Sequence, residues 1–326
     1  MAHQTIYKDI GIGDESTWGV SVASNSERLH IKTSTLNKIV EKEVVEDTTT
    51  SIKGRERIVR MKNVVTGDLT GFATPRTMHH MLELALGTIA TNTAVGTSAT
   101  LRTYNQNTDG TMISKSINFD RNNSQETFNG VRASAIDITA SDNKLEFTLN
   151  TEGKIQSNVG TSMQDLIGET IRPMVFADAT ITVHQGATYG VEFTTLEVES
   201  WNVKYENGLE SSFLSGSRDA ARSDPKIPAV SGKFKIFHEG TSFVELQHGC
   251  TEAYLRFDIV LPSCAGLIAG VTPYTLRIDV PRTEMTSNVR PYEAGEYSME
   301  EVEFMGKLNT GTSSLIDITQ TVGAAL

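Results

Sequence analysis

The histidines, cysteines and carboxylates are the residues of this chain that could do chemistry, and their spacing matches none of the usual arrangements. The seven histidines are dispersed. His79 and His80 adjoin on a segment with helical patterning, so their side chains point in different directions, unlike metal ligands at i and i+4. The expectation is one buried and one exposed imidazole and no metal site. Gly11-Ile12-Gly13 lacks the later glycine and the preceding strand of a dinucleotide loop, and no phosphate-binding G-x-x-x-x-G-K-[ST] occurs. Ser215-Gly216-Ser217 lacks the first glycine of a nucleophile elbow, and neither Cys250 nor Cys264 has an obvious base beside it. Carboxylates are plentiful, but sequence does not show two facing each other across a cleft, so a glycosidase stays open only by default. The residues give no enzyme signal and call for no cofactor.

Composition narrows the class. A length of 326 residues predicts about two domains, and 38% apolar residues with abundant Thr, Ser, Asn and Gly suits a β protein with many turns. The net charge of −11 argues against a surface that grips nucleic acid, which needs clustered Lys and Arg. Two cysteines are too few for a disulfide framework and read as reduced core thiols of a protein made in a cytoplasm. Met1 to Ser16 lacks the apolar segment of a signal peptide. The longest apolar-rich run, Cys264 to Val271, is too short to span a bilayer.

The elements that must position these residues are written twice. Val65, Gly67, Phe72, Thr77 and Met78 match Val230, Gly232, Phe237, Ser242 and Phe243 without a gap. In each copy a strand-like run ends at an aromatic, Thr77 or Ser242 offers a helix cap, and an apolar-periodic helix closes at Gly87 or Gly249. Upstream, Ile52-Lys53-Gly54-Arg55 resembles Leu214-Ser215-Gly216-Ser217. Downstream, Leu145 to Leu149 with Gly153-Lys154 resembles Glu300 to Phe304 with Gly306-Lys307. Each copy spans roughly 150 residues, the size of one domain.

Taken in order, residues 1–26 read as an N-terminal arm docked by Trp18, and 27–158 as a first β-domain. The latter opens with a long hairpin whose charges mix both signs: Glu41, Lys42, Glu43, Glu46, Asp47, Lys53, Arg55, Glu56 and Arg57. These read as a solvated face or as a self-complementary contact between identical subunits. A short helix from about Pro75 to Leu86 follows. Then Ile136 and Ile138, and Leu145, Phe147 and Leu149, alternate with polar residues about Ser141-Asp142-Asn143, which predicts a hairpin. Residues 159–190 read as a connection with a short helix around Met163 to Ile167, and 191–326 as a second β-domain. There the apolar face of Leu196 and Val198 switches phase to Trp201, Val203 and Tyr205, predicting a β-bulge near Ser200. Asn207-Gly208 predicts a hairpin turn.

Together these stretches resemble the major tail tube proteins of long-tailed, siphovirus-type bacteriophages. The likeness rests on Asp14-Glu15-Ser16-Thr17-Trp18-Gly19, on Phe128-Asn129-Gly130-Val131-Arg132-Ala133-Ser134-Ala135-Ile136, on Leu196-Glu197-Val198 with Tyr205-Glu206-Asn207-Gly208-Leu209-Glu210, on Leu214-Ser215-Gly216-Ser217-Arg218, and on Val230-Ser231-Gly232 leading to Phe237. It implies a mainly β chain of two tandem β-sandwich or barrel domains, each with one short flanking helix and a long hairpin loop. It implies no enzyme, but a late virion protein whose rings stack into the hollow tube through which double-stranded DNA is ejected. Two copies per chain would close a pseudo-sixfold ring from three chains, with a ring of six as the alternative. The implied partners are the chain itself, the tape measure protein and passing DNA in the lumen, and the tail-tip and tail-terminator proteins, with no membrane. Glu197, Glu199, Glu301 and Glu303, polar residues on otherwise apolar strands, are candidates for the lumen wall, a solvent-facing outer surface being the alternative for each. A capsid-decorating or adhesin-type β-sandwich and a carbohydrate-active enzyme are the rival readings; the latter needs paired acids and stacking aromatics, and only two Trp are present.

Overall fold

Alternating apolar and polar residues build most of this molecule into antiparallel strands, because a period of two gives each strand one face for a core and one for water. The structure is a computed structural model that describes residues 9–22, 24–47, 54–87, 89–95, 98–106, 112–120, 125–141, 144–157, 162–167, 171–185, 194–237, 242–249, 251–263, 267–268, 272–290, 299–309 and 314–323. Lys53, Cys250 and Cys264 lie outside the described residues, as do the side chains of Glu46, Asp47, Arg55, Glu56 and Arg57. In chain order the first half holds β1 (Asp9–Asp14), β2 (Ser24–Arg28), β3 (Ile31–Ser34), β4 (Asn37–Asp47), β5 (Gly54–Phe72), α1 (Pro75–Leu86), β6 (Ile89–Val95), β7 (Ala99–Asn105), β8 (Lys115–Asp120), β9 (Gln125–Ser141), β10 (Lys144–Gly153), β11 (Ile155–Ser157) and β12 (Ser162–Ile167). There follow β13 (Ala179–Gln185), β14 (Thr194–Leu196), β15 (Val198–Glu206), β16 (Glu210–Ser212), β17 (Arg222–Asp224), β18 (Ala229–Phe237), α2 (Ser242–His248), β19 (Ala253–Val260), β20 (Leu267–Ile268), β21 (Thr272–Pro273), β22 (Thr275–Val289), β23 (Met299–Gly306) and β24 (Asp317–Gly323).

Two five-strand runs share one order. In the first half the neighbours are β4, β5, β10, β9 and β8. In the second they are β15, β18, β23, β22 and β19. A helix follows the second strand of each run, α1 after β5 and α2 after β18. The irregularities match as well. Thr151 faces Ala133 and Asn150 faces Ala135, so Ser134 is the extra residue of a bulge. Phe304 faces Met285 and Glu303 faces Ser287, so Thr286 is its counterpart. Close approach recurs too: a Cβ on Gly153 would come within 2.8 Å of Val65, and one on Gly306 within 2.9 Å of Val230.

The halves are sewn edge to edge. Trp201 to Glu206 of β15 face Ala140 to Ala135 of β9, and the Asn207 N–H donates to the bulge carbonyl of Ser134 at 2.8 Å. A second seam joins β24 to β7. One apolar core therefore runs through both halves, from Ile10 and Leu69 to Phe257 and Ile318.

Several sequence expectations meet their outcome here. The β9–β10 hairpin forms, with Ser141 facing Lys144. The phase switch in β15 is a bulge, since Val198 faces Ile236 and Ser200 faces Lys235, leaving Glu199 over. Met163 to Ile167 is not a helix but part of β12, parallel to β2; so short an apolar run cannot sustain a helix alone, and strand pairing decides it. Thr77 does not cap α1. Pro75 opens the helix two residues earlier, and the Thr77 hydroxyl accepts from the His30 N–H at 3.3 Å. Asn207-Gly208 does not turn a hairpin, because β15 and β16 are not paired. The Asn207 amide is instead buried and donates to the carbonyls of Ala85, 2.5 Å, and Ala133, 3.2 Å, tying the end of α1 to the seam.

Candidate functional site

The titratable groups that the fold does gather lie under α1. Pro75 at the start and Gly87 at the end fix a helix whose residues are buried on nearly every side. His79 and His80 are therefore both inside, at 8% and 5% exposure, where the sequence pattern suggested one exposed ring. Lys115 of β8, 1% exposed, meets them from the sheet. Its ammonium donates to Asp14 Oδ1 at 2.5 Å and Glu83 Oε2 at 2.7 Å, and lies 3.3 Å from His80 Nδ1. His80 Nε2 is 2.6 Å from Glu27 Oε2, which Arg76 approaches to 4.0 Å. His79 Nδ1 is 2.7 Å from the Tyr104 hydroxyl, which donates to Gln320 of β24.

Nitrogens of His79 and His80 and a Glu83 oxygen come within 4.8 Å of one another, close enough for a metal. The donor set does not fit one. Lys115 already supplies the positive charge at the Glu83 carboxylate, and a cation there would face that ammonium at close range. The arrangement is a buried ion-pair network that fastens β1, β2 and β8 to the helix. Sequence reasoning missed it because Asp14, Glu27, Glu83 and Lys115 come from four separate elements with no shared spacing.

Burial, reinforced by His80 and Arg102, lowers the His79 pKa from 6.5 to about 2. The folded ring stays neutral, while the unfolded ring takes a proton below pH 6.5. The unfolded state thus binds more protons as the pH falls, and His79 costs the fold about 1.4 kcal/mol per pH unit below 6.5. His79→Asn, which can keep the Tyr104 contact but cannot titrate, should narrow the stability gap between pH 7 and pH 5 by about 1–2 kcal/mol. Glu27, also held low by its bond to His80, does not titrate in that window. Urea midpoints at the two pH values decide it, and a gap equal to the parent's contradicts the assignment.

The carboxylates singled out from sequence lie elsewhere: Glu197 between β14 and β15, and Glu199, Glu301 and Glu303 on β15 and β23, on the side turned away from the core. Glu197, Glu199 and Glu303 are exposed, and Glu301 is half-exposed. Lysines on β18 answer two of them: Lys235 meets Glu199 at 2.6 Å and Lys233 meets Glu301 at 2.8 Å. Glu301 and Glu303 together raise the Lys233 pKa. A depression of about 280 Å³ beside them, lined by Thr139, Ser200, Asn202, Lys233, Lys235 and Glu301, holds one carboxylate and so not the carboxylate pair of a glycosidase. In the long hairpin, Glu41, Lys42 and Glu43 are exposed, and Glu41 pairs with Lys62 at 3.4 Å.

Fold and site together define a mainly β protein whose interior titratable groups hold a helix to a sheet. A family model described as phage tail tube protein matches residues 8–306. The chain belongs to that family and is a structural component of the phage tail. No curated protein matches it, and no helix among the described residues is long and apolar enough to cross a membrane.

Proposed function

We propose that three copies of this chain close into a ring, and that stacked rings form the tube through which double-stranded DNA leaves a long-tailed phage. The observation that carries this is the internal seam. Two runs of the same strand order, taken as tandem tube domains at 27–158 and 191–326, meet edge to edge, while the outer edge of β4, and that of β22 over residues 284–289 beyond its pairing with β19, have no strand partner among the described residues. A unit joined to a like unit by one edge, with the opposite edge open, repeats until it closes. The tape measure protein, the DNA, and the tail-tip and tail-terminator proteins are the partners of such a tube.

Three chains at −11 each carry −33. Screening over about 8 Å at physiological salt confines repulsion of DNA to the wall. If Glu197, Glu199, Glu301 and Glu303 line it, Lys233 and Lys235 temper two of them, so the wall is mildly negative and neither traps nor bars a duplex. Negative-stain microscopy of the purified chain should show annuli or hollow filaments, with a ring mass of three times 35.6 kDa, about 107 kDa. Monomers without a central passage overturn the reading.

A further inference from the structure

We propose that the outer edge of β4 in one copy hydrogen-bonds the outer edge of β22 in a second copy, with Lys38 opposite Asn288, Asn37 opposite Val289 and Ile39 opposite Ser287. This rests on the ring reading and goes beyond it by naming the edges and their register. The register comes from the seam inside the chain. Val203 faces Gly232 across β15 and β18. The pairs Ser34 with Leu69 and Asn37 with Thr66 set Leu36 opposite Gly67, the matching glycine. Leu36 is thus the counterpart of Val203, Lys38 of Tyr205 and Val40 of Asn207. On the other strand the bulge residues Ser134 and Thr286 correspond, which makes Asn288 the counterpart of Ile136. Tyr205 faces Ile136 in the closed seam; Lys38 and Asn288 take those places in the open one.

The side chains at the two open edges complement each other. Asn288 donates to Glu300, yet its own Oδ1 is buried with no donor among the described residues. Such an acceptor is costly to leave unpaired. Lys38, opposite it in the register, has no ion pair among the described residues and carries three donors. Behind Asn288, Glu300, 1% exposed, accepts from the Asn288 amide and from Arg290 at 3.2 Å, which holds that amide in place. On the other face Ile39 is 50% and Val289 56% exposed. The register makes them diagonal neighbours, within reach of each other across the strands. At the bulge, the Thr286 carbonyl accepts a 3.3 Å bond from the Gln247 side chain, where the Ser134 carbonyl takes the Asn207 N–H. The Val40 N–H of the second copy would fill that place. Polar groups where the internal seam is apolar also keep an unassembled edge from pairing indiscriminately.

The test is a disulfide pair in a full-length chain with Cys250→Ser and Cys264→Ser. Asn37→Cys with Val289→Cys should cross-link on mild oxidation into covalent species that stop at three chains, since directly opposed Cβ atoms come close to bonding distance. Lys38→Cys with Val289→Cys, on opposite faces, should not. In the parent chain, Lys38→Ala should raise the concentration for half-assembly at least tenfold with an unchanged circular dichroism spectrum. Rings that fail to cross-link at the named pair, that cross-link at the shifted pair, or that ignore Lys38→Ala overturn this inference and leave the ring reading standing. Absence of any oligomer overturns both.

Discussion

Lys115→Met should destabilise the chain by about 3 kcal/mol, within the range for breaking a buried ion pair by removing one partner. The side chain is nearly isosteric, so packing changes little and the loss is electrostatic. Of the two carboxylates that Lys115 holds, the Asp14 side chain is 77% exposed and can return to water. Glu83 cannot: its side chain is 15% exposed, and among the described residues it would keep only His79, at 3.6 Å, and His80, at 3.9 Å, beside it. The cost therefore falls on Glu83, and Glu83→Gln in the same chain should restore roughly half of it, because no charge is then stranded. Denaturant titration of the parent, both single variants and the double variant closes the cycle. A coupling energy near zero would mean that the ammonium is not what holds α1 to β1 and β8.

What the sequence could show follows from range. Short-range patterns were legible: the Ile136–Leu149 hairpin, a bulge near Ser200 read from a phase switch and found at Glu199, and the helix between Pro75 and Gly87. Asn207-Gly208 failed because the Asn amide is claimed by Ala85 and Ala133, far away in the chain, and a long-range bond outweighed a local turn preference. Met163 to Ile167 failed for the same reason, its backbone being taken by β2. The Lys115 cluster could not be found at all, since nothing local distinguishes a lysine among alternating residues from one that will be buried. The carboxylates Glu199 and Glu301 were visible as outward residues, but not the lysines across the strand that partly cancel them, because register is a tertiary fact.

Trp201→Ala should cost about 3–5 kcal/mol, the range for emptying a buried Trp site. The ring is 2% exposed, its centroid lies 4.8 Å from that of Phe257, and its strand stands between Ala140 of the first half and Phe234 of the second. The cavity would open at the seam itself, where both halves have already committed their backbone hydrogen bonds and cannot easily collapse inward. Trp201→Phe separates packing from polarity. The indole N–H is buried with no acceptor among the described residues, so Phe removes a donor that gains nothing there and should cost under about 1.5 kcal/mol. Phe237→Ala, on a 41% exposed ring at the end of β18, serves as the surface comparison and should stay within about 1 kcal/mol. Were Trp201→Phe as damaging as Trp201→Ala, the indole nitrogen would have to hold the seam through a bond, and packing would not account for how the two halves stay joined.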